Sequence, residues 1–177
     1  MEDTRNVTDE FKGVPQAAIV AELDVRQGDY LEIAVDNVTR DFNMGTIVRT
    51  ANAFGVRQVH VIGRKQWNKR GAMMTDTYMH VHYYQTVDEF MQAIKDKVLV
   101  AVDNVPGATG LTTTALPRNA VLLYGAEGPG IRPELLERAQ QTVAIEQYGS
   151  TRSINVGVAA GIVMYEWVRQ HGRDLSR

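Results

Sequence analysis

Short apolar runs, each closed by turn residues and alternating with stretches of helical period, constrain this chain more than any other feature of its sequence. The runs are Leu31 to Asp36, Val59 to Ile62, Val81 to Gln85, Val98 to Val102, Ala120 to Tyr124 and Val143 to Ile145. Helices are predicted over Asn43 to Phe54, Val87 to Lys97, Pro133 to Gln140 and Ile154 to Gln170. The first places Ile47, Val48, Ala51 and Phe54 on one face and stops at Gly55, and the second begins behind a Thr86 cap. Pro133 suits a first helical turn. This alternation predicts an α/β fold with a mostly parallel sheet and helices on both faces. With 177 residues, 44% of them hydrophobic, the chain fills one such domain. Residues 1–29 read as an N-terminal helical extension, 30–172 as the domain and 173–177 as a short tail.

Several function classes drop out early. The chain has no cysteine, which removes disulfide frameworks, cysteine-ligated metals and thiol nucleophiles. The acidic, polar N-terminus is no secretory signal, and no apolar run approaches about 18 residues, so a soluble, cytoplasmic protein without a membrane partner is expected. His80 and His82 share a strand face but have no third ligand at a sensible spacing, so no metal is expected. Met73 and Met74 read as packing residues. The net charge of −2 argues mildly against nucleic acid, yet its distribution does not. Residues 42–75 contain Arg49, Arg57, Arg64, Lys65, Lys69 and Arg70 with no Asp or Glu. Within them Arg64, Lys65, Trp67, Lys69 and Arg70 interleave an aromatic with cations, the pattern of a single-stranded RNA contact. A solvated basic loop has the same pattern.

Chemistry concentrates in three loops that each follow a predicted strand, where open α/β sheets hold their ligands. The first runs through Asn43, Gly45 and Arg49. Asn43 and Gly45 also read as a helix cap and a close-packing glycine, but Arg49 interrupts an apolar helical stretch. The second, Tyr124-Gly125-Ala126-Glu127-Gly128-Pro129-Gly130, brings backbone close to a ligand. Its glycine order is wrong for a dinucleotide loop, Pro129 offers no N–H to a phosphate, and Glu127 repels one. A cationic or neutral ligand fits better, and S-adenosyl-L-methionine (SAM) is positive at sulfur and carries no phosphate. In the third, Ser150, Thr151 and Ser153 are candidate caps for the last helix. Gly157, Ala159, Ala160 and Gly161 allow another backbone to approach it. One cap does not account for Ser153 and Asn155 together.

Asn43-Met44-Gly45-Thr46-Ile47-Val48-Arg49, Gly125-Ala126-Glu127-Gly128-Pro129-Gly130, and Gly149 with Ser153-Ile154-Asn155-Val156 together resemble, in order, the three motifs of the SpoU/TrmH family of RNA 2′-O-ribose methyltransferases in the SPOUT superfamily. The resemblance covers roughly residues 33–167. It implies a C-terminal deep trefoil knot, an exception to the rule against knots. It also implies a homodimer with the site at the subunit interface, and motif one reaching that site from the partner. Carried across, Tyr124, Gly125, Gly128, Ile145, Ile154 and Val156 surround SAM, and Arg49, Asn43, Glu127, Ser153 and Asn155 surround the reacting ribose of a tRNA or rRNA. Arg40-Asp41-Phe42-Asn43 lacks the proline common before motif one, Ile145-Glu146-Gln147 stands where the family often has I-P-M, and Ile154 replaces a leucine.

A guanidinium is not readily deprotonated in proteins, so a literal general-base role for Arg49 is disfavoured. The expected role is to grip the neighbouring phosphate and stabilise a developing alkoxide, with Asn43 and Ser153 orienting the hydroxyl and Asn155 and Glu127 ordering the loops. The competing reading is a non-catalytic RNA-binding dimer of the same fold. A nucleotide-dependent oxidoreductase is disfavoured by the glycine order.

Overall fold

In strands buried on both faces, successive side chains enter two different cores, and this sorting explains the near-continuous apolar runs. The computed structural model describes residues 3–27, 31–37, 43–126, 128, 130–151 and 153–172. Its strands are β1 (Glu32–Asn37), β2 (Gln58–Gly63), β3 (His80–Tyr84), β4 (Val98–Val102), β5 (Thr109–Gly110), β6 (Ala120–Tyr124) and β7 (Gln141–Ala144). They form one sheet in the order β3-β2-β1-β6-β4-β7-β5, and every described ladder is parallel. The helices are α1 (Gln16–Gln27), α2 (Met44–Ala53), α3 (Val87–Ala93), α4 (Pro133–Arg138) and α5 (Val156–His171).

Ile33, Val35, Val59, Val61, Leu122 and Tyr124 face one core, filled from α2 by Met44, Ile47, Val48 and Ala51 and from α5 by Ala160, Val163, Met164 and Trp167. Their strand neighbours Ala34, Ile62, Val121 and Leu123 face the other, closed by Val87 and Phe90 of α3 and Leu135 of α4. Helices therefore cover both faces. α1 is docked by buried Ile19, and Asp24 on it accepts from the buried Arg57 guanidinium at 2.8 Å.

Local interactions shift several boundaries. α3 stops at Ala93, short of the expected Lys97, because a turn in which the Lys97 amide donates to Ile94 carries the chain into β4. α5 begins at Val156 because Asn155 caps it, accepting from the amides of Gly157 at 3.0 Å and Val158 at 3.3 Å. The expected caps Ser150, Thr151 and Ser153 lie upstream of that turn. The two-residue β5 has too little pattern to read from sequence and exists through its pairing with β7. Met73 and Met74 are not core residues: they are 55% and 70% exposed, with left-handed backbone (φ 48° and 65°) between two short 3₁₀ turns, Lys69–Ala72 and Thr75–Tyr78.

Candidate cofactor and catalytic site

A cavity of about 560 Å³ opens beyond the carboxyl ends of β4, β6 and β7, where they meet the start of α5. That is a size suited to a small-molecule cofactor. Val102, Val143, Ile145, Ile154, Val156 and Ala159 give it apolar walls, and Gly125, Gly128 and Gly130 bring main chain to its rim. Asp103, Asn104, Gln147, Ser153 and Asn155 supply its polar side chains.

The rim depends on glycine. A Cβ on Gly125 would fall on the carbonyl carbon of Gly130 and within 2.5 Å of its oxygen and of the Ile131 nitrogen. The loop folds back tightly there, with the Gly130 amide donating to Ala126 at 3.1 Å and positive φ at Gly128 and Gly130. Its exit is pinned to β1, where fully buried Asp36 accepts from the Arg132 amide at 3.0 Å and from its guanidinium at 2.9 Å. Glu127 lies outside the described residues.

Five of the six expected cofactor residues line this cavity: Gly125, Gly128, Ile145, Ile154 and Val156. Tyr124 does not. Its side chain is fully buried in the core toward α5, its hydroxyl donates to the Ala160 carbonyl at 3.5 Å, and burial pushes its phenol well above the usual range. Alternation along β6 sends Tyr124 into the sheet face rather than toward the strand tip, so it supports the site from beneath.

Motifs one and three meet through two amides. The Asn155 Nδ2 donates to Asn43 Oδ1 at 2.9 Å. Because the helix cap requires Asn155 to present oxygen to α5, its nitrogen must face Asn43, and both amide orientations follow. Asn43 makes no cap bond of its own, so its side chain serves this contact instead. Within one chain, Asn43 of motif one thus meets Asn155 of motif three. The small residues of α5 permit this: a Cβ at Gly157 would lie 3.0 Å from Thr46 Cγ2, and one at Gly161 would lie 3.6 Å from Thr50 Cγ2, both on α2. Ser153 is exposed at the cavity, and Arg49 is exposed on α2 outside the cavity lining.

The basic loop is anchored beside motif one. Buried Asn37 at the end of β1 donates to the Arg64 carbonyl, and its own carbonyl accepts from the Arg64 amide at 3.0 Å. Gly45 of α2 packs on Gly71, where a Cβ would stand 2.8 Å from backbone. We expect Gly45→Ala to destabilise the fold by about 1–3 kcal/mol in urea titration. The overpacking outweighs the ~1 kcal/mol that alanine gains in helix propensity. A stabilised variant would refute the contact. Lys69 pairs with Asp76 at 2.7 Å and stands 5.4 Å from the Trp67 ring, whose body is half-buried against the core. Arg64, Lys65 and Arg70 are exposed, Lys65 lying 5.2 Å over Tyr83. His80 bonds Asp24 and His82 bonds Gln58, and no group of three metal donors occurs among the described residues.

Three further lining residues carry little signal in the sequence: Asp103 and Asn104 look like ordinary polar turn residues, and Gln147 stands out only as a departure from the family's I-P-M. The rule that ligands sit beyond strand ends, applied to β4 as it was to β6, points to Asp103 and Asn104.

The SpoU rRNA methylase family model matches residues 30–165. The 23S rRNA (guanosine-2′-O-)-methyltransferase RlmB of Bordetella pertussis is 35% identical over 157 residues, spanning 84% of this chain and 63% of that enzyme. Among solved structures, the A. aeolicus TrmH/SpoU tRNA modifying enzyme superposes with a TM-score of 0.76 at 25% identity, covering 88% of this chain and 84% of its own. The SpoU methyltransferase AviRb from Streptomyces viridochromogenes, in complex with AdoMet, gives a TM-score of 0.74 at 25% identity over 83% of this chain and 64% of its own.

Proposed function

The chain belongs to the SpoU rRNA methylase family, and from that premise we propose that it methylates a ribose 2′-hydroxyl in tRNA or rRNA, with SAM as donor. The observation that carries this reading is the Asn43–Asn155 contact beside a glycine-rimmed, largely apolar cavity. The cavity fits SAM: its volume is adequate, a side chain at Gly125 would collide with its rim, and its walls suit an adenine. Gly125, Gly128, Ile145, Ile154 and Val156 hold the donor there, which supplies an electrophilic methyl group. The protein's own task is then to align one hydroxyl oxygen, and good alignment is worth about 7–11 kcal/mol. Ser153 and Asn43 orient the hydroxyl, Asn155 keeps Asn43 in place, and Arg49 grips the adjacent phosphate and stabilises charge as the proton leaves. Glu127 orders the motif-two loop. Arg64, Lys65, Trp67, Lys69 and Arg70 contact the RNA backbone and bases.

We assign residues 30–172 to the methyltransferase domain and 1–29 to an N-terminal extension; the expected tail, 173–177, lies outside the described residues. The C-terminal part threads as a deep trefoil knot. This is supported by a strand order in which β6 and β7, consecutive in the chain, flank β4. A second copy covers the exposed stripe Val158, Ile162 and Tyr165 of α5 with Phe54 and Tyr148, an apolar groove that shares Ile145 with the cofactor cavity. The homodimer works in the cytoplasm, and no helix among the described residues is long and apolar enough to cross a membrane.

Incubation with labelled SAM and RNA lacking the modification, followed by mapping of methylated riboses, tests the activity. Label on ribose is expected, and no label in any RNA would leave the RNA-binding scaffold. Sedimentation tests the assembly, and a monomer at high micromolar concentration would sink the dimer.

A further inference from the structure

Asp103 is held more firmly than a turn residue at a strand end requires. Its amide donates to the Val143 carbonyl at 3.1 Å, fixing it to β7. Its Oδ2 accepts from the Ile131 amide at 3.2 Å, fixing it to the motif-two loop. Gly130 lies against the same carboxylate, where a Cβ would come within 3.0 Å of Oδ2. β7 thus fixes the Asp103 backbone and the motif-two loop its carboxylate, and Oδ1 accepts from no described residue. Asp103 is also the one carboxylate among the described residues that line the cavity, whose other polar side chains are amides and a hydroxyl.

A fixed carboxylate beside an apolar wall is an acceptor without donors of its own, and it selects a ligand edge rich in O–H or N–H. A nucleoside offers such an edge in its vicinal ribose hydroxyls, and acidic residues at strand ends take ribose hydroxyls in other α/β folds. The sheet order separates this point from the methyl-transfer end. β4 stands two strands from β1, roughly 10 Å at ordinary strand spacing, and motif one follows β1. We propose that Asp103 binds the ribose hydroxyls of the methyl donor, fixing its nucleoside so that the sulfonium is presented toward Asn43 and Asn155. The assignment rests on the SAM-dependent reading above.

Calorimetry on the full chain tests it with three ligands: SAM, S-adenosylhomocysteine, and 5′-methylthioadenosine, which keeps the ribose but lacks the amino acid. In Asp103→Asn, which retains an acceptor for the Ile131 amide, all three are expected to weaken alike, by about 10-fold or more. Loss confined to SAM and S-adenosylhomocysteine would mean that Asp103 meets the amino-acid ammonium, and loss of SAM alone would mean the sulfonium. Either result, or no loss, overturns the assignment. A second comparison does not depend on how the variant folds. Removing the 2′-hydroxyl from 5′-methylthioadenosine is expected to cost wild-type protein a similar factor, and an unchanged affinity overturns the assignment too. Wild-type protein that binds neither SAM nor S-adenosylhomocysteine would instead bring down the methyltransferase reading itself.

Discussion

Arg49→Lys is expected to bind SAM with wild-type affinity while turning over about 10²–10³-fold more slowly, the range for losing one preorganised donor at a developing oxyanion. Binding is spared because Arg49 is exposed on α2 and outside the cavity lining. Folding is spared for the same reason, an exposed substitution ordinarily changing stability by less than about 0.5 kcal/mol. Lysine keeps the charge and loses the planar fork, so the variant separates geometry from charge. Arg49→Ala loses both and is expected to be slower still. Single-turnover methylation at saturating SAM measures the difference. Near-wild-type rates in Arg49→Lys would reject the bidentate phosphate role, and near-wild-type rates in Arg49→Ala would remove the residue from the mechanism.

Gly125→Ala is expected to weaken SAM binding at least 100-fold, about 2.7 kcal/mol, measured by calorimetry. The new methyl group meets main-chain atoms of Gly130 and Ile131, which no rotamer change can clear. The loop must open, and its displacement withdraws the backbone rim and the Ile131 amide that holds Asp103. The strands beneath are buried between two helical layers and stay in place, so the circular dichroism spectrum should match the wild type. Retained affinity would show that the tight return of this loop is not what shapes the site. Gly128→Ala provides the contrast, since nothing stands within 4 Å of its Cβ position and the strain comes from its φ of +93° alone.

Much of the fold was legible because parallel strands buried on both faces leave a local signature. Runs such as Ala120 to Tyr124 are apolar at every position, and the α2 pattern of Ile47, Val48 and Ala51 matches the face that is buried. The glycine order of motif two was legible for a similar reason, since Gly125 answers a steric demand made by residues five and six positions away. Element ends were less legible. α5 starts at Val156 because Asn155, not an upstream serine, supplies the cap, and several polar residues in that loop are equally able to cap a helix.

The strand and helix pattern, the three loops and the absence of cysteine chemistry were determined by the sequence itself, because each depends on residues close together in the chain. Tertiary structure decided the rest. The Asn43–Asn155 contact joins residues 112 positions apart, Asp36 and Arg132 are 96 apart, and Asp103 is gripped from β7 and from the motif-two loop. The inward turn of Tyr124 and the outward turn of Met73 and Met74 were likewise settled by which surfaces packed around them. Side-chain partnership depends on distance in space, and a parallel sheet brings distant strand ends together at one edge, where the site is assembled.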